Sequence, residues 1–118
     1  MNQTELFAAT HTKFTFPIVS EADLNQFILS HSIQWHTDAG HGWLQAPLQL
    51  VKSLKLKITQ YSYMNAEFAY LEEDCDAGTF LRAIGVIGGS DEVKQAFRTG
   101  VRDSYTVNSF VRNLKRYR

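Results

Sequence analysis

Residues 58–85, ITQYSYMNAEFAYLEEDCDAGTFLRAIG, change hydrophobic period partway along, and that change decides the fold class. Ile58 to Met64 reads as a strand with Tyr61 and Tyr63 on one face, because side chains two apart share a side of a pleated chain. Asn65-Ala66 is a turn, and Phe68 to Glu72 returns as the second strand of a hairpin. Beyond it, Ala77, Phe80, Leu81 and Ile84 fall at i, i+3, i+4 and i+7, the stripe of an amphipathic helix. Asp76 is the expected N-cap of that helix and Gly85 its stop. A hairpin that runs straight into a helix belongs to an α+β chain.

The flanking sequence fits the same class. Lys13 to Phe16 reads as a short strand stopped by Pro17. Ser20 caps a helix whose first turn carries Glu21 and Asp23 and whose buried stripe is Leu24, Phe27 and Ile28. Ser32 to Asp38 and Gly42 to Ala46 are strands around the turn Ala39-Gly40-His41, with Trp35 and Trp43 expected as near cross-strand neighbours. Pro47 suits the first position of a short helix through Leu48, Val51 and Leu54. After Gly88-Gly89, Ser90 caps another helix, with Asp91 and Glu92 at its start, Val93, Ala96 and Phe97 as its stripe and Gly100 as its stop. The last 18 residues alternate weakly and suit strand or coil. The connections at 39–41 and 65–66 are too short for parallel crossovers. The expectation is one compact α+β domain over residues 1–118, with antiparallel β-hairpins packed against three to four short helices. Residues 1–16 are expected as a loosely attached N-terminal segment and 101–118 as a basic C-terminal segment.

Composition narrows the function classes. The 118 residues hold 12 Lys+Arg and 12 Asp+Glu, with 44% hydrophobic residues, a folding rather than a disordered balance. No apolar run is long enough to span a membrane, and no signal peptide is visible. A single cysteine, Cys75, makes no internal disulfide and fits a reducing, cytoplasmic setting. It reads as a small buried cysteine rather than a nucleophile, because four carboxylates surround it and no histidine partner is evident. The neutrality is a sum of two poles. Residues 1–90 carry five basic and nine acidic residues, net −4; residues 91–118 carry seven and three, net +4.

Three clusters are candidate sites. Glu72, Glu73, Asp74 and Asp76 form an acidic run that offsets the dipole of the following helix, pairs with the basic C-terminal segment, or meets a partner protein. Exposed aromatics such as Tyr61 and Tyr63 would complete that contact surface. His36, Asp38 and His41 lie within six residues at a turn and, with carboxylates of 72–76, have the chemistry of a His₂-carboxylate metal site. Their spacing matches no standard motif, and polar turn residues account for them as well. Arg112, Lys115, Arg116 and Arg118 alternate with aromatics, the pattern that tracks phosphates and stacks bases, although the chain as a whole lacks the basic excess of a nucleic-acid binder. No nucleotide-binding or hydrolase motif occurs, so no cofactor and no catalytic residue are assigned.

Two segments, Gly40-His41-Gly42-Trp43-Leu44 and Tyr70-Leu71-Glu72-Glu73-Asp74-Cys75-Asp76-Ala77, resemble an uncharacterised family of small bacterial proteins of plasmids, phages and other mobile elements. In that family a Tyr-Ser-Tyr strand lies between them, here Tyr61-Ser62-Tyr63, and a basic stretch follows, here around 109–114. The resemblance spans roughly residues 35–116. It implies a setting rather than a chemistry: an accessory protein binding a host or phage protein, including an anti-defence inhibitor of a restriction or CRISPR system. Beside this binding module stand two other readings, a metal-dependent enzyme or metal-binding domain and a nucleic-acid-binding domain.

Overall fold

The computed structural model describes residues 14–118. Four α-helices lie along it: α1 (Glu21–Ser30), α2 (Leu48–Ser53), α3 (Asp76–Ile84) and α4 (Asp91–Gly100). Six strands, β1 (Gln34–Thr37), β2 (Gly42–Pro47), β3 (Tyr63–Met64), β4 (Phe68–Glu72), β5 (Arg102–Tyr105) and β6 (Lys115–Arg116), form one sheet in the order β5-β1-β2-β4-β3-β6. A short 3₁₀ helix, Phe110–Asn113, lies between the last two strands.

The helices form where sequence places caps and stripes. The Ser20 hydroxyl accepts the Asp23 N–H and that of Ser90 the Val93 N–H, each satisfying a donor that the first helical turn leaves free. Their stripes, with Ala77, Phe80, Leu81 and Ile84 of α3, bury against one face of the sheet, where Leu44, Ala46, Ala69 and Leu71 complete the main core. Gly85 ends α3 at φ 101°, and a Cβ there would stand 2.7 Å from the Pro17 Cβ, so this position requires glycine for both conformation and space.

The sheet's other face carries a second, smaller core of Trp43, Tyr63, Tyr70 and Val111, with Phe68 and Leu114 packed against it. The C-terminal segment covers it. Leaving β5 at one edge, the chain crosses this face through the 3₁₀ helix and pairs as β6 with β3 at the opposite edge. The result is one α+β domain in three layers: helices, a six-stranded sheet and a C-terminal strap.

Several expectations are corrected. The sheet is mixed, because β5 runs parallel to β1; the long connection between them supplies the crossover that the short turns could not. Trp35 and Trp43 are not cross-strand neighbours. Asp38 N–H bonds the His41 carbonyl, which sets the register His36↔Trp43 and Trp35↔Leu44 and puts the two indoles on opposite faces. Pro47 ends β2 and precedes α2 instead of opening it. Ile58 to Ser62 is irregular, and the strand begins at Tyr63. Lys13 falls outside the described residues, while Phe14 to Phe16 form no strand. Of the segment 1–16 expected as loosely attached, residues 1–13 lie outside the described residues, and the Phe14 and Phe16 rings meet Phe27 edge-on at 5.5 and 5.7 Å.

Candidate functional site

The second face of the sheet and the loops beside it bring together most of the residues singled out in the sequence. The turn after β1 is built on Asp38. One carboxylate oxygen accepts the N–H groups of Gly40 and His41, both at 3.0 Å, as an aspartate does when it mimics a backbone turn. The other accepts the Ser109 N–H at 3.2 Å, and the Arg112 guanidinium grips both oxygens through Nε and Nη2 at 2.5 and 2.8 Å. Five donors on one carboxylate hold Asp38 far below the usual carboxylate range, with Arg112 the largest cause. The pair fastens the 3₁₀ helix to the β1–β2 turn, and Arg112 then lies over the Trp43 ring, 5.4 Å from its centroid.

The strap makes a second contact of the same kind at its far end. Arg116 lies 4.5 Å from the centroid of Tyr63, its direct partner across β3 and β6, and reaches the Gln60 carbonyl at 3.3 Å. Lys115, the next residue along the strand, projects to the opposite side, and Lys52 sits over Tyr117 while donating to the Arg118 main-chain oxygen. The four basic residues Arg112, Lys115, Arg116 and Arg118 therefore form no single stripe.

On the other side of this surface, the 59–62 loop is organised by Asp76. It does not act as the cap of α3; Cys75 holds that position without a side-chain bond. Asp76 is instead fully buried, and its Oδ2 accepts from the Thr59 N–H (3.1 Å), the Thr59 hydroxyl (2.7 Å) and the Ser62 hydroxyl (2.5 Å). Ser62 Oγ in turn accepts the Glu72 N–H at 2.9 Å. These bonds draw the backbone out of the strand before Tyr63 and leave Tyr61 projecting, 68% exposed, beside Glu72. Tyr61 and Tyr63, expected on one face, are thus separated: one is exposed, the other is buried. Asp76 likewise leaves the acidic patch, which reduces to Glu72, Glu73 and Asp74.

Between these two sides runs a groove of about 580 Å³ lined by His41, Trp43, Tyr61, Tyr63, Glu72, Asp74, Cys75, Arg112 and Arg116. One wall is anionic and the other cationic, over an aromatic floor. The poles seen in the sequence do not neutralise each other here. Among the described residues the ion pair joins Arg112 to Asp38, and none engages Glu72, Glu73 or Asp74. Cys75 is exposed rather than buried, with Thr79 Oγ1 bonded to its carbonyl and not to its thiol.

The expected metal set is not assembled. Asp38 is consumed by its five donors. His36 points into the second core, between Tyr70 and Phe110 at 5.5 and 5.2 Å, with Nε2 at 2.8 Å from Gln45 Oε1. Gln45 gives its amide N–H to the Ser32 carbonyl, so its oxygen is an acceptor and His36 Nε2 carries the proton. His41 is exposed beside Trp43. Among the described residues, no three His, Cys, Asp or Glu side chains are placed to share a metal ion. No helix among them is long and apolar enough to cross a membrane.

Sequence reasoning missed Gln45, Ser62 and Ser109. Each is a buried polar residue, so the signal lay in polar residues falling at inward positions, which a reading of apolar stripes passes over. Comparison of the chain with protein-family models, with curated proteins and with solved structures finds no match.

Proposed function

We propose that this domain is a binding module without catalytic chemistry, and that its groove is the contact surface for a partner protein. The observation that carries this reading is the pairing of an exposed ring, Tyr61, with carboxylates that no cation of the described residues neutralises, in a depression that already holds Trp43, Tyr63 and two arginines. Tyrosine, tryptophan and arginine supply most of the energy at protein interfaces, and charges of both signs set register and association rate. A polyanion such as nucleic acid would meet Glu72 and Asp74 along one wall, with Arg112 already committed to Asp38. The metal reading lacks a ligand set among the described residues.

The resemblance of the 40–44 and 70–77 segments to proteins of plasmids and phages supports the narrower form of this reading. In that form the domain is a cytoplasmic accessory of a mobile element whose partner belongs to a host or phage system, with restriction and CRISPR defences the leading instances. That narrower form rests on resemblance and not on any residue of the groove.

A photo-crosslinking phenylalanine analogue placed at Tyr61, and separately at Leu29 on α1, tests the proposal. Leu29 is 77% exposed, on the helical layer away from the groove. In lysate of the native host, a discrete polypeptide adduct is expected from position 61 and not from position 29. The same adducts from both positions, or an adduct removed by nuclease, would overturn it.

A further inference from the structure

The three rings of the groove are not equivalent. Trp43 carries the Arg112 guanidinium over its face, and Tyr63 carries that of Arg116. No cation of the described residues lies over Tyr61, although it is the most exposed of the three. It shares the groove with Glu72 and Asp74, which have no ion pair among the described residues: Ser62, its neighbour, accepts the Glu72 N–H, and Glu72 Oε1 accepts the Asp74 N–H, which folds the turn back on itself. At the other two rings the protein supplies its own guanidinium. At Tyr61 the described residues supply the ring and the negative charge but no cation.

We infer that the missing cation belongs to the partner, and that the groove recognises an arginine side chain of a partner polypeptide, stacked on Tyr61 and paired with Glu72 and Asp74. The inference rests on the groove being a protein-contact surface and specifies what that surface selects. The chemistry favours arginine over lysine, because a planar guanidinium stacks on a ring and bonds a carboxylate along its edge at the same time, whereas an ammonium is a strongly hydrated point charge. The cationic wall has a complementary effect. Arg116, which has no carboxylate partner among the described residues, repels a uniformly basic segment, so the preferred ligand carries its arginine among neutral or acidic neighbours.

Panning a phage-displayed library of random dodecapeptides on the intact protein, with counter-selection on the Tyr61→Ala/Glu72→Gln/Asp74→Asn variant, tests this without knowledge of the natural partner. The surviving peptides are expected to be enriched in arginine. A synthesised winner should bind about tenfold or more weakly to the Tyr61→Ala variant, and likewise when its arginine is replaced by neutral citrulline. Glu72→Gln and Asp74→Asn tested singly, with unchanged thermal midpoints, separate recognition from folding. Enrichment of acidic peptides whose binding is lost in Arg116→Gln would overturn this inference and leave the groove as a contact surface. Failure to recover any peptide that distinguishes the protein from the triple variant would overturn both.

Discussion

Asp76→Ala is expected to destabilise the domain by about 2–4 kcal/mol, because it orphans three donors that one buried oxygen now satisfies. Ser62 is fully buried and loses its acceptor outright, while Thr59 is partly exposed and regains some solvation. The substitution also frees the loop that presents Tyr61, so groove binding should fall with stability. Asp76→Asn separates the acceptor from the charge. Asp76 Oδ1 has no partner of its own, so an amide nitrogen at that site breaks no hydrogen bond while the amide oxygen keeps the three donors. Urea unfolding should therefore show a loss for Asn less than half that for Ala. Equal losses would mean that the negative charge, and not the acceptor, holds the loop.

Arg112→Leu is the second large effect expected, and it acts on the strap. Leucine removes the guanidinium that lies over Trp43 and leaves Asp38 facing three backbone donors without it. The thermal midpoint should fall by roughly 5–15 °C. In a Trp35→Phe background, where Trp43 is the remaining tryptophan, its emission should move to longer wavelength as the ring loses its cover. The pH response follows from the same pair. Asp38 has a folded-state pKa below its unfolded value, so it binds fewer protons when folded. Its contribution is present above the unfolded value of about 3.9 and is lost as pH falls through the depressed folded value. The native protein should therefore keep Trp43 covered well into acid, and Arg112→Leu should shift its exposure upward towards about pH 4. Coincident acid transitions in the two proteins would show that the pair does not hold the strap.

What the sequence revealed and what it hid divide by range. The stripes of α1, α3 and α4 are written in local periodicity and form as read, and the hairpin around Asn65 forms with its first strand shortened to Tyr63–Met64. Asp76 looked like a cap because it precedes a helical stripe; its real partners lie 14 and 17 residues earlier, and no local pattern encodes them. The same bonds explain why Ile58 to Ser62 leaves the ladder despite a strand-like composition. All four residues of β5 are exposed, so it carries no buried-face signature, and its parallel pairing with β1 is a tertiary result. The Asp38–Arg112 clamp spans 74 positions. The sequence raised the question of two opposed charge poles, but only the fold shows that, among the described residues, one pair joins them while the 72–74 carboxylates have no ion pair. The groove is that remainder, bounded by the basic C-terminal segment.

The claim on which everything else depends is that this segment is a closed layer of the fold. Residue-resolved amide hydrogen exchange tests it most directly, at the N–H groups of Val111, Leu114 and Tyr117. These bond to Ser109 Oγ, the Val111 carbonyl and the Ser62 carbonyl respectively. The strap predicts strong protection of all three in the native protein, with opening free energies approaching those of the core strands, and a marked loss of protection in Arg112→Leu. Exchange at all three sites at the rate of an unstructured peptide would contradict the account, because without the strap there is no groove.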